Sequence, residues 1–194
     1  MDSKIRERLL FSPPFSCQEA ISSGITRSML HYYLDEGVIR RVDRGIYQGK
    51  KYDFDGDIQL EEMIVIASKT KGAVLCLISA LTFYDLTDEM MRHIWLAVPR
   101  SFGAKKKDGM RYIRYRNMEL GLLEIEYAGI KFKIFDKERT VIDCFRYLDL
   151  DLSLNVLKNY LRKSEGHKPN IEKLMEYSEA LRKPIHKYVE AILA

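Results

Sequence analysis

The sequence predicts an α+β protein, and three observations carry that prediction. Two helix-start signals, Ser16 and Thr26, are each followed by a glycine at helix-ending distance, Gly24 and Gly37, and then by a short Arg-rich run broken at Asp43-Arg44-Gly45. Far downstream, Leu122–Tyr127 and Ile130–Phe135 flank Ala128-Gly129, a two-residue hairpin signal with alternating apolar and charged positions after it. From Leu152 onward, apolar residues recur only at helical spacing.

Each N-terminal element has its own warrant. Ile5, Leu9 and Leu10 fall at helical spacing within Asp2 to Leu10, and Pro13-Pro14 ends that segment. Ser16-Cys17-Gln18-Glu19 has the spacing of a capping box, in which the Ser16 hydroxyl accepts from the Glu19 backbone and the Glu19 carboxylate accepts from that of Ser16. The helix it starts runs to about Ser22, because Ser23-Gly24 is turn chemistry and Ile25 supplies a buried anchor. Thr26 then caps a second helix through Glu36, closed by Gly37 in a left-handed conformation. Leu30, Tyr33 and Leu34 share its inward face, which leaves Arg27, Ser28, His31 and Tyr32 pointing outward.

Ile39–Val42 and Ile46–Gln48 read as two strands around a tight turn in which Gly45 provides a positive φ. Helix, turn, helix and basic hairpin in that order describe a winged helix-turn-helix over residues 1–55, followed by an α+β domain over 56–194. Donors and an aromatic near a helix N-terminus suit a major groove, where side chains meet base edges. The plainer reading is a helical hairpin with a solvated polar face. Three arginines on a short ribbon, Arg40, Arg41 and Arg44, with Lys50 and Lys51 behind them, favour the first, because such a ribbon lies naturally beside a phosphate backbone.

The run GITRSMLHYYLDEGVIRRVDRGIYQ resembles the winged helix of AbiEi-type antitoxins, the regulator half of type IV toxin-antitoxin (abortive infection) operons, with EGVIRRVDRGIYQ its most specific part. A second similarity, DKERTVIDCFRY at Asp136 to Tyr147, falls in the order the family shows. The resemblance implies a transcriptional autorepressor that binds double-stranded operator DNA; a homo-oligomer on that DNA is expected, and no enzymatic activity. It also implies a C-terminal domain that counters a nucleotidyltransferase-like toxin, by direct contact or by opposing its effect on a target.

Composition narrows the alternatives. With 46% hydrophobic residues the chain can bury a core, and no apolar run approaches the ~20 residues a membrane helix needs. The N-terminus is charged and unlike a signal peptide, so a cytoplasmic protein is expected. Cys17, Cys76 and Cys144 are odd in number and widely spaced, which signals neither disulfides nor zinc, and Cys144 is expected in the core. The net charge of +4 is unevenly spread: residues 1–52 carry +3, 53–99 carry −5, 100–116 carry +6, and the remainder is neutral. Basicity gathered in two patches fits nucleic-acid contact.

The second domain is read in the same way. Asp53, Asp55 and Asp57 alternate, but Gly56 and Ile64 occupy the wrong places for a calcium loop, so a linker ending in a helix-capping acid is expected, with the boundary near Asp55. Leu60, Met63, Ile64 and Ala67 predict a helix over 58–69; residues 73–77 form a short strand, and Ser79 is expected to cap a helix through Tyr84. Strands are expected at Ile94–Val98 and Arg111–Tyr115. The intervening Gly- and Lys-rich loop and its flank hold Lys105, Lys106, Lys107, Arg111, Arg114 and Arg116, a second patch suited to nucleic acid, to an acidic partner protein or simply to solvation. Asp136 caps a helix with an apolar stripe of Val141, Ile142, Phe145 and Leu148. On it Arg139 and Asp143, at i and i+4, read as a structural pair worth ~0.2–0.5 kcal/mol on a helix surface. Three helices follow.

No Glu-x-Lys, GxxxxGK[ST], HExxH or GxSxG occurs, so no catalytic residue, metal or cofactor is assigned. The competing functional class is a nucleic-acid-processing enzyme that uses the winged helix to find its substrate.

Overall fold

The computed structural model describes residues 3–54, 57–103, 108–162 and 168–194. The chain forms two compact units, Met1–Lys71 with Glu126–Phe132, and Gly72–Ile125 with Lys133–Ala194. Asp55, the expected boundary, and Gly56 lie outside the described residues.

In the first unit, helices α1 (Ser3–Leu10), α2 (Cys17–Ser22) and α3 (Arg27–Asp35) pack with strands β1 (Phe15–Ser16), β2 (Ile39–Asp43) and β3 (Ile46–Gly49), followed by α4 (Ile58–Lys69). The strands form one antiparallel sheet of order β1-β3-β2. Leu9, Ala20, Ile25, Leu30, Tyr33, Val38 and Ile39 make its core. The capping box forms as expected, with the Glu19 amide donating to Ser16 Oγ at 3.1 Å. Both interhelical glycines end a helix: at Gly24 (φ 87°) the Ile25 amide reaches back to the Ala20 carbonyl, and at Gly37 (φ 66°) the Val38 amide reaches that of Tyr33.

Strand β1 is absent from the sequence-based expectation. Two residues are too few to show a period, yet Phe15 and Ser16 pair with Tyr47 and Ile46 and turn the hairpin into a three-stranded sheet. Helix α4 is held within this unit: Asp57 caps it by accepting from the Gln59 amide at 2.9 Å, and Lys69 Nζ donates to Glu19 Oε2 at 2.8 Å.

A five-stranded sheet of order β6-β5-β4-β8-β7 comprises β4 (Val74–Leu75), β5 (Ile94–Pro99), β6 (Met110–Tyr115), β7 (Leu122–Tyr127) and β8 (Ile130–Phe135), and all of it except the Glu126–Phe132 end of the β7–β8 hairpin belongs to the second unit. Its helices are α5 (Leu77–Phe83), α6 (Lys137–Tyr147), α7 (Leu150–Leu161), α8 (Ile171–Ala180) and α9 (His186–Leu193). Strand β5 pairs with β4 antiparallel and with β6 parallel, and its residues Ile94 to Val98 are all buried, as the unbroken apolar run of an interior strand requires.

Two expectations are corrected here. Helix α5 begins at Leu77 with Cys76 as its uncapped N-terminal residue; Ser79 lies inside the helix, where its Oγ accepts from the Trp95 amide at 2.8 Å. Helix α6 buries Val141, Ile142 and Phe145 of the expected apolar stripe, with Leu148 at its C-terminal cap, but it is not buried on that stripe alone. Every residue from Glu138 to Phe145 is buried, so its polar residues are interior groups that must find partners.

Candidate nucleic-acid interface

The four outward positions of α3 are exposed as its periodicity requires. Thr26 Oγ1 accepts from the Met29 amide at 3.2 Å and fixes the helix start, so Arg27 and Ser28 stand in the first turn and His31 and Tyr32 in the next. Leu30 and Tyr33, facing inward, are 2% and 1% exposed. The helix N-terminus adds partial positive charge beside Arg27, a setting that attracts phosphate.

The hairpin presents Arg40, Arg41 and Arg44, all exposed, with exposed Lys50 following β3. A bulge between Arg41 and Asp43 leaves Val42 partly in solvent and bends the ribbon. Arg41 Nε donates to the Asp43 carbonyl at 3.3 Å, and the Arg44 amide donates to Asp43 Oδ1 at 2.7 Å, so the tip is organised around Asp43.

Arg40 differs from its neighbours. Its Nε donates to Gln48 Oε1 at 2.9 Å and its Nη2 lies 3.6 Å from Glu61 Oε1, so it is tied to the base of the wing and to α4. Gln48 is fully buried and bridges the two, donating its Nε2 to Glu61 Oε1 at 2.5 Å. Sequence reasoning passed over Gln48, although its position two residues after the buried Ile46 places it on the inward face of β3.

Of the second patch, Lys105, Lys106 and Lys107 lie outside the described residues. Arg111, Arg114 and Arg116 are exposed on or just after β6.

The Asp136–Tyr147 motif is an internal framework. Arg139, 1% exposed, donates Nε to Asp143 Oδ2 at 2.8 Å, Nη1 to the Leu120 carbonyl at 3.1 Å and Nη2 to that of Asn117 at 3.3 Å, with Phe135 under its guanidinium at 4.7 Å. The pair with Asp143 is therefore no surface ion pair; it anchors the loop preceding β7. Asp136 caps α6 through the Arg139 amide and also receives Lys173 Nζ at 2.9 Å and Tyr177 Oη at 3.2 Å, while Glu138 accepts from Tyr160 Oη at 2.7 Å. Burial opposes the Lys173 charge, but Asp136 and Glu138 outweigh it and push its pKa above the ordinary lysine range. Each charged group here has its counterpart, which is the pattern of a folded framework and not of an open site.

Among the described residues, no three His, Cys, Asp or Glu gather as a metal site, and no helix is long and apolar enough to cross a membrane.

Three helices with a helix-turn-helix and a three-stranded antiparallel sheet ending in a basic hairpin make the first unit a winged helix-turn-helix. Residues 3–48 match the family model described as "Transcriptional regulator, AbiEi antitoxin". The match takes in the whole GITRSMLHYYLDEGVIRRVDRGIYQ run and stops short of Asp136–Tyr147. No curated protein matches the chain.

Proposed function

We propose that this protein is a DNA-binding transcriptional autorepressor and the antitoxin of a type IV toxin-antitoxin pair. Helix α3 enters the major groove, with Arg27, Ser28, His31 and Tyr32 meeting base edges, while Arg41, Arg44 and Lys50 lie along the adjacent phosphates and Arg40 reaches them only in part. The observation that carries the reading is that every one of these side chains is exposed on a helix and hairpin whose opposite faces are closed by the core. The family match over residues 3–48 supports the regulatory role. The antitoxin role, against a nucleotidyltransferase-like toxin encoded alongside, rests on the same family likeness.

A fluorescent duplex carrying the promoter upstream of the gene tests the DNA claim. Binding should weaken steeply as salt rises, because each phosphate contact releases condensed counterions. Affinity that stays constant between low and moderate salt refutes the assignment. Co-expression with the neighbouring gene product tests the antitoxin claim: growth arrest that this protein does not relieve counts against it.

A further inference from the structure

The basic hairpin of the first unit carries a restraint, and the acid that applies it sits outside the hairpin. Strand β2 is the outer strand of the β1-β3-β2 sheet, and Arg40 and Arg41 stand next to each other on it. Adjacent strand residues leave opposite faces, so the two arginines part at the backbone. Arg41 stays within the hairpin, its Nε donating to the Asp43 carbonyl at 3.3 Å. Arg40 turns toward α4. There its Nε donates to Gln48 Oε1, directly across the ladder, at 2.9 Å, and its Nη2 lies 3.6 Å from Glu61 Oε1.

Glu61 is the fixed member of this trio. Its side chain is 17% exposed against 58% for that of Arg40, so the carboxylate is held while the guanidinium keeps a side open to solvent. The same Oε1 accepts from Nε2 of Gln48, which is fully buried and cannot follow a moving partner. Glu61 also stands in the first turn of α4, where a helix N-terminus favours negative charge. A carboxylate so placed, short of water, retains its cation. An ion pair with so exposed a cation adds little to stability, whereas a positive charge withheld from a phosphate is felt directly in DNA affinity.

We propose that Glu61 is an acidic brake on the wing: it holds the Arg40 guanidinium away from the phosphate backbone and keeps affinity for every duplex below what the wing's charge allows. This rests on the DNA-binding reading given above and adds a regulating residue to it. Because phosphate contacts carry no sequence information, the brake acts on promoter and unrelated DNA alike and leaves the ratio between them unchanged. A role for the trio in merely orienting the wing has the opposite sign, since loss of Glu61 would then loosen the hairpin and weaken binding.

The test follows the full-length protein on a fluorescent promoter duplex and on an unrelated duplex across a salt series. Glu61→Gln removes the charge but keeps an amide oxygen that can accept from Gln48. It should bind both duplexes more tightly, with log K against log salt steeper by about 0.9, so that its advantage shrinks about three- to fourfold over about a fourfold rise in salt. In the Glu61→Gln/Arg40→Ala double variant the added slope should disappear, which assigns it to Arg40 and not to the loss of a nearby negative charge. A Glu61→Gln slope equal to or shallower than the parent's, or an added slope that survives Arg40→Ala, overturns the inference and leaves the DNA-binding reading intact. A parent protein whose affinity is indifferent to salt refutes that reading, and the brake with it. Should Glu61→Gln lower the Tm to the assay temperature, the parent background decides: Arg40→Ala should reduce the slope by less than half as much as Arg44→Ala, and an equal reduction overturns the inference.

Discussion

Arg139 shows how far environment changes the meaning of a residue. The same i, i+4 pair that contributes a few tenths of a kcal/mol on a helix surface is, when buried, one of three hydrogen bonds from a single guanidinium. Arg139→Ala leaves the buried Asp143 with Arg146 alone and takes the guanidinium donors from the Leu120 and Asn117 carbonyls, so a loss of about 3–5 kcal/mol is expected. Thermal or urea denaturation measures it, and a Tm within a degree or two of the parent contradicts the framework role. Gly121 belongs to the same account. Its φ is 70°, and a Cβ there would lie 2.6 Å from Arg139 Cβ and 2.9 Å from Asp136 Oδ1, so Gly121→Ala should destabilise by more than the same change at Gly72, whose Cβ would meet nothing within 4 Å at a similar φ of 72°. The comparison isolates the steric term, because the backbone cost is shared.

Among the elements, those legible in the sequence are those whose signals are local. The capping box, the glycine helix ends, the β7–β8 turn and α4 each follow from residues within one element, and each appears at or within a residue or two of the expected limits. Strand β1, the centre position of β4, the parallel β5–β6 pair and the polar interior of α6 depend on neighbours distant in sequence, and no local period announces them. The candidate site divides in the same way. Exposure at Arg27, Ser28, His31 and Tyr32 follows from helical spacing, whereas the tie of Arg40 to Glu61 needed α4 to be placed. Two local devices invite measurement. Ala128 occupies the first position of the β7–β8 turn at φ 48°, with Gly129 at 75°, so both residues have the left-handed values of a type I′ turn. Ala128→Asn should raise the Tm, since asparagine tolerates that region and alanine pays about 1–2 kcal/mol for it; the Tyr52 hydroxyl contact to the residue 128 carbonyl, at 2.6 Å, is retained. At the capping box, burial raises the Glu19 pKa but Lys69 and the Ser16 donors outweigh it, leaving the carboxyl below its ordinary value of 4.5. A depressed folded pKa means that the stabilisation is complete above about 4.5 and is lost as pH falls through the depressed value. Glu19→Gln should therefore flatten the stability profile in that acidic window, and a profile unchanged in slope argues against the pair.

For the whole molecule, the decisive question is how two separate basic regions divide their work. Residues 1–52 and 100–116 carry +3 and +6, so charge alone predicts that the second region dominates any contact with DNA. The geometry argues otherwise, because among the described residues only the first region joins its cations to a helix with exposed polar side chains beside a hairpin. The two views separate when equilibrium binding to promoter and unrelated duplexes is followed across a salt series. If the winged helix carries recognition, Arg41→Ala and Arg44→Ala each weaken all sequences alike and reduce the salt slope by about one, as phosphate contacts do. Arg27→Ala and His31→Ala narrow the gap between promoter and unrelated DNA by about 1–3 kcal/mol per lost base contact. Arg40→Ala is the poorer probe, since it also breaks the Gln48 and Glu61 ties and mixes stability with affinity. Arg111→Ala/Arg114→Ala should change neither quantity, which makes it the control that matters. A fall in slope there as large as for the wing would move the DNA contact to the second unit and leave α3 with a solvated face.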